Sequence, residues 1–329
     1  MDLLRRLFGG STQEQAEIHS NPIDQTTTAD DINTAPLLDH AIPAASMSDT
    51  TPVGPLQTRP LDPPKTYKTV SPGRRIKYGL SSHVGQVRNN NQDGSLALMA
   101  NAEVTGDPPA IGLFAVADGM GGHKDGEHAS AVTVQTLAQY VMDQIVIPQL
   151  EVRQHNSDQK TIPEVLAEAL EAAHLAVQLQ VPNGGTTATA VVIRGDLAYV
   201  AHVGDSRLYL VSDGQMEKVT RDHSLVYRLI ELGQLTLEEA EIHPQRNVLY
   251  RAIGQGEAIE IDAATRRLPP SSRLVICSDG LWGVIGDEAL AEILADSPDP
   301  QEACDRLVAA ANDKGGPDNI TVIVIQMPD

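Results

Sequence analysis

The chain has 329 residues, enough for one large domain or two modest ones, and its 41% hydrophobic content supports a core that is aliphatic because aromatics reach only 3%. A formal charge of −20 argues against nucleic-acid or anionic-membrane binding by bulk electrostatics. Two cysteines, Cys277 and Cys304, give no disulfide framework and fit a reducing compartment. No apolar run approaches the ~18–20 residues that span a bilayer, and no apolar core with a cleavage site opens the chain. The expectation is a cytoplasmic protein with no transmembrane segment.

In residues 1–10, Leu3, Leu4, Leu7 and Phe8 share a face of one or two helical turns, with Arg5 and Arg6 opposite. That pattern fits membrane-surface or partner docking, or a frayed terminus, since isolated helices this short are marginal. Residues 11–72 are rich in Thr, Ser, Asp, Asn and Pro without periodicity. They cannot bury enough apolar area to offset their ordering entropy, so residues 1–74 are expected to be a disordered tail. Strands are expected at 76–81, 96–99 and 111–117, with a Pro/Gly loop at 101–110. Apolar residues at helical spacing predict helices over 126–146 and 162–181. Strands then follow at 186–194, 197–203, 207–211 and 216–219, joined by short turns that require antiparallel neighbours. Residues 222–254 break the rhythm with helical turns at 225–232 and 236–242 and read as a flap insertion. Strands at 258–265 and 273–277, helices at 287–295 and 300–311, and a strand at 320–326 complete the chain. This order predicts an α+β fold, a four-layer α-β-β-α sandwich of two antiparallel sheets with helices outside, over residues 75–329.

Asp118 follows the apolar run from Ile111 to Ala117 and precedes Gly119, Gly121 and Gly122, which let the backbone turn tightly beside it. Asp205 and Asp279 likewise end apolar strands, and Asp318 stands just before one. Taken singly, each also reads as an ordinary Asp-Gly or Pro-Asp-Asn turn. Four acids at strand tips repel one another, and a fold that gathers them needs cations between them. Oxygen-only ligands indicate magnesium or manganese rather than zinc. Cys277 reads as a small buried hydrophobe. His202, inside an apolar strand, reads as a core histidine, whereas Arg221 and His223, at the start of the flap, read either as substrate contacts or, preferred, as part of a solvated flap.

Six motifs occur in order: Arg88-x-x-Asn91-Gln92-Asp93, Asp118-Gly-Met-Gly-Gly-His123, Gly185-Thr-Thr-Ala, Gly204-Asp205-Ser206-Arg207, Cys277-Ser-Asp279-Gly280 and Gly316-Pro-Asp318-Asn319. Through them residues 76–326 resemble the bacterial type of the metal-dependent serine/threonine protein phosphatases, the protein phosphatase 2C or PPM family. The resemblance implies a two-metal Mn2+ or Mg2+ centre at one edge of a β-sandwich. Asp118 bridges both ions, the Gly119 carbonyl ligates the second, Asp279 and Asp318 complete the first, and Asp93 lies near the second. Asp205, with Asp279, holds a possible third ion. Arg88 binds the substrate phosphate through its planar fork, and Asn319 orients Asp318. Metal-activated water then attacks the phosphoryl group in line, without a phospho-enzyme. Met120 stands where eukaryotic members carry a histidine, so no general acid is assigned; His123 shapes substrate entry or is a satisfied loop histidine. The implied activity is phosphoserine/phosphothreonine phosphatase in signal transduction, on phosphorylated proteins that include a serine/threonine kinase. The alternative is a catalytically silent module that binds phosphoproteins, a state marked by loss of a metal acid; none is missing.

Overall fold

A computed structural model describes residues 76–100, 110–121, 124–150 and 160–329. The tail at 1–74 with its amphipathic start, most of the loop at 101–110, and His123 lie outside the described residues. One sheet runs in the order β1 (Lys77–His83), β11 (Ile320–Gln326), β10 (Arg273–Cys277), β7 (Arg207–Ser212), β8 (Gln215–Lys218). The other runs β2 (Asp93–Ala100), β3 (Ile111–Met120), β5 (Ala188–Arg194), β6 (Leu197–Val203), β9 (Asp262–Arg267), with the short β4 (Gly185–Thr186) paired to the end of β3. The strand pairings within both sheets are antiparallel.

Alternation along each strand divides its side chains between two cores. On β3, Ile111, Leu113 and Ala115 face α1 (Asp125–Val141) and α2 (Ile162–Gln180), while Phe114 and Val116 face the opposite sheet. On β11, Val322 and Val324 face α5 (Asp279–Asp296) and α6 (Pro300–Asp313), while Ile323 and Ile325 meet Phe114 between the sheets. Three apolar layers therefore separate four layers of structure, as the element order predicts. Helix α2 starts from a capping box, Thr161 with Glu164, and lays Val165, Leu166, Ala169, Leu170, Ala173 and Val177 on its sheet. Between β8 and β9 the chain forms two short capped helices, α3 (Leu225–Glu231) and α4 (Leu237–Glu241). Bridges from Ser224 to Leu249 and from Thr186 to Ile253 tie this segment down.

Several local expectations are corrected by the tertiary pairing. β2 starts at Asp93 rather than 96, because β3 supplies a partner for each of its residues. β3 continues past Ala117 through Gly119 to Met120, because β4 pairs with its end. The strands β6 and β7, although joined by a tight turn, do not pair with each other; the chain passes there from one sheet to the other. β9 begins at Asp262, later than 258. Helix α5 begins at Asp279, not 287: Ser278 takes the extended N-cap conformation, Asp279 favours the first turn, and the helix kinks at Gly286.

Two measurements test this packing. Phe114→Ala, at the centre of the inter-sheet layer, is expected to lower unfolding free energy in urea by about 3–5 kcal/mol. His202 is buried between Thr189 Oγ1 at 2.9 Å and the Arg221 carbonyl at 3.0 Å. Burial, then the neighbouring His223, lowers its pKa to about 4. The unfolded chain therefore holds a proton on this group that the native state lacks between about pH 6.5 and about pH 4, so stability falls as pH drops through that window. Urea titrations at pH 7, 6 and 5 should show a shallower slope in His202→Gln; equal slopes would assign the effect to other groups.

Candidate metal centre

The acids at strand and helix ends meet at one edge of the sandwich. β2 and β3 set Asp93 opposite Asp118 in register. Asp118 is clamped by its backbone: its N–H donates to Thr187 Oγ1 at 2.9 Å, and its carbonyl accepts from the Thr187 N–H and Thr186 Oγ1, both at 2.8 Å. Gly119 is required by close approach, since a Cβ there would stand 2.1 Å from the Gly126 carbonyl oxygen at the start of α1. From the opposite sheet come Asp279, the first residue of α5, and Asp318, just before β11. Asp205 lies on the crossing from β6 to β7, after Gly204 at φ +108°.

Burial first, then repulsion from Asp93, Asp279, Asp205 and Asp318, pushes the Asp118 carboxyl well above the usual carboxylate range. Burial followed by Asp279 and Asp222 does the same to Asp205, and burial followed by Asp318 raises Asp279. Burial also raises Asp93, to about 6, although Ser278 Oγ donates to its Oδ2 at 2.8 Å. Arg88 Nη2 donates to Asp318 Oδ2 at 2.7 Å, with about half of the arginine side chain exposed.

Among the described residues, no three His, Cys, Asp or Glu side chains stand at the spacing of a metal shell. The donor set still fits hard divalent ions. It contains only oxygens, they repel one another, and Asp93 Oδ1 is buried without a hydrogen-bond partner.

Several supporting residues escape a linear reading. Ser278, inside the Cys277–Gly280 motif, both donates to Asp93 and accepts from the Thr321 N–H at 3.0 Å. Trp282, the chain's one tryptophan, donates from Nε1 to the Asp205 carbonyl at 3.1 Å. Arg207 stacks 3.4 Å over the Trp282 ring and grips the buried Asp222 with Nε and Nη2, the latter at 2.7 Å. His223 is buried rather than solvated: its N–H donates to the Gly204 carbonyl at 2.7 Å, and its Nδ1 accepts the Gly204 N–H at 3.1 Å. Asn319 does more than orient Asp318. Its Oδ1 accepts the Gln92 N–H at 2.8 Å and its Nδ2 donates to the Val84 and Asn90 carbonyls at 2.9 Å, while its own N–H donates to Asp318 Oδ1. Cys277 is buried and packed toward α5 and α6, and burial raises its thiol pKa, as suits a packing residue.

Residues 89–319 match the family model described as protein phosphatase 2C. The chain belongs to the protein phosphatase 2C family. The serine/threonine protein phosphatase PstP of Mycobacterium tuberculosis is 35% identical over 263 residues, covering 77% of this chain and 45% of the relative. The chain thus spans about half the length of that curated relative. The serine/threonine phosphatase stp of Listeria innocua is 35% identical over 243 residues, covering 74% of this chain and 92% of the relative. A crystal structure of the PstP catalytic domain in complex with two manganese ions superposes with a TM-score of 0.61 at 31% identity, covering 77% of this chain and 99% of that one. The two-sheet, helix-flanked sandwich is therefore the one found in solved bacterial protein phosphatase 2C structures. In this protein phosphatase 2C chain Met120, beside the acid cluster, receives a contact from Gln255 Nε2 at 3.5 Å.

The Asn319 contacts predict that Asn319→Ala frees the 84–92 segment. Hydrogen exchange at the Gln92 amide should accelerate at least about tenfold, the equivalent of one lost hydrogen bond. Unchanged protection would place the anchor elsewhere.

Proposed function

We propose that this chain is a metal-dependent phosphoserine/phosphothreonine protein phosphatase, with residues 75–329 as the catalytic domain, residues about 222–254 as its flap and residues 1–74 as a tail. The observation that carries this reading is the meeting of Asp93, Asp118, Asp205, Asp279 and Asp318 at one edge, with Arg88 beside them. Asp118 and the Gly119 carbonyl, with Asp279, Asp318 and Asp93, are the residues to hold two Mn2+ or Mg2+ ions. Asp205, with Asp279, would hold a third. The manganese in the PstP structure supports the choice of ion. When bound, such ions supply Lewis-acid charge that activates water and neutralises the phosphoryl group.

The protein's own contribution is positioning. The Thr186 and Thr187 clamp fixes Asp118, and Ser278 fixes Asp93. Arg88, half exposed, exchanges its Asp318 partner for two phosphoryl oxygens and orients the phosphorus for in-line attack. Neither buried cysteine takes part. Phosphorylated proteins are the substrates, a serine/threonine kinase among them, in cytoplasmic signal transduction. Among the described residues no helix is long and apolar enough to cross a membrane, which is compatible with that setting.

The test is phosphate release from a phosphothreonine peptide with manganese, with magnesium and with chelator. Release should depend on metal and vanish in Asp118→Ala. Asp205→Ala should slow it by about ten- to a hundredfold, the range for weakening a metal shell without removing it. Wild-type rates in both variants would overturn the assignment.

A further inference from the structure

The segment between β8 and β9 builds a second polar site that the acid cluster does not use. A cavity of about 270 Å³ opens there, lined by Arg221, Arg228 and Arg251 with His223, Tyr250 and Glu231 among its walls. That space exceeds the ~30 Å³ share of one water molecule by enough to hold a solvated acidic group.

The charges are unevenly matched. Arg221 Nε and Arg228 Nη1 approach the two oxygens of one carboxylate, Glu231, at 3.2 and 2.9 Å. One carboxylate balances one guanidinium, so this side of the cavity carries an excess positive charge. The side chains of Arg221 and Arg228 are 63% and 56% exposed, leaving guanidinium edges open to the cavity. Across it Arg251 meets two further lining carboxylates, Asp262 at 3.0 Å and Glu260, so the lining as a whole is charge-balanced and the positive surplus is confined to the Arg221–Arg228 side. The buried His223 joins this cavity to the candidate centre, because it bonds both the N–H and the carbonyl of Gly204, the residue before Asp205. In a chain of net charge −20, this one-sided surplus of guanidinium, linked through His223 to the residue before Asp205, is where an anionic group is accepted.

We propose that the Arg221–Arg228 side of this cavity is a specificity subsite for an anionic oxygen group, carboxylate or phosphoryl, carried by the substrate chain near the phosphoresidue being hydrolysed. This rests on the phosphatase reading above. Guanidinium forks suit both anions. Glu231 keeps the pair partly neutralised until a competing acid displaces it. The subsite therefore selects among phosphoproteins and takes no part in the chemical step.

The experiment uses the full chain with manganese and a neutral, alanine-flanked phosphothreonine peptide. A single glutamate or phosphoserine is scanned over the three positions on either side. At one register the acidic peptide should show kcat/KM at least about tenfold above the neutral one. In the Arg221→Gln/Arg228→Gln double variant that ratio should fall toward one. In Glu231→Gln it should rise, a gain that misfolding cannot produce. The glutamate and phosphoserine arms tell whether a plain carboxylate suffices or a second phosphoryl group is required; a preference in either arm supports the subsite. A ratio near one at every position in the wild type, or one unchanged in the double variant, would overturn it. Absence of phosphate release from every peptide, the neutral one included, would instead overturn the phosphatase reading. The same ratio is then read from peptide Kd by fluorescence anisotropy.

Discussion

Repulsion among carboxylates crowded at one edge of the sandwich is the constraint that the rest of the molecule answers. Burial and mutual proximity raise Asp118 and Asp205 well above their ordinary range and raise Asp279 as well. Left to themselves such groups would move apart or stay in water. They are held because each sits at the end of an element whose other residues are core. Asp118 continues the strand that buries Phe114 and Val116, and Asp279 follows the strand that buries Leu274 and Ile276. Asp318 leads into the strand that buries Ile323 and Ile325. Collapse of the inter-sheet layer therefore brings the acids together, and its hydrophobic stabilisation opposes their repulsion.

A second set of contacts fixes the acid that the core does not reach directly. Asp205 stands on a crossing between sheets, where no strand pairing holds it. Trp282 bonds its carbonyl, Arg207 stacks on Trp282 and grips Asp222, and His223 bonds both backbone groups of Gly204. These residues belong to α5, to the start of β7 and to the start of the segment between β8 and β9. The geometry of that segment and the position of Asp205 are thereby mechanically joined, so a group held on the segment's arginines is registered close to the candidate centre.

The legibility of the site follows from how local each cause is. Asp118, Asp205, Asp279 and Asp318 were visible because an apolar strand adjoining an acid is a pattern within a few residues. Arg88, Asp93 and the Gly119 carbonyl were reached only through the family motifs; nothing near Asp93 in sequence shows that it pairs with Asp118. The reach of Asn319 to Val84, Asn90 and Gln92, and of Ser278 to Asp93, spans long sequence separations. Polar side chains of this kind carry no periodicity that would mark their partners. His223 looked solvated because it stands at the start of the segment that reads as a flap, whereas its burial depends on Tyr250 and His202 stacking around it.

By itself the sequence determined which stretches are strands and helices, since apolar patterning and capping act over short spans: the near-continuous apolar runs of β3, β5 and β11 and the stripe of α2 leave little freedom. It also determined the chemistry on offer, oxygen ligands and arginine forks without reactive thiols. Tertiary structure decided which strands share a sheet. The tight β6–β7 turn crosses between sheets because β6 pairs with β9 and β7 with β10. It decided too that β3 runs through Gly119 to Met120 and that α5 starts at Asp279, both of which depend on contacts supplied by distant residues. Local propensity is weak at Gly and Asp positions, so partners contributed from elsewhere in the chain determined the outcome there.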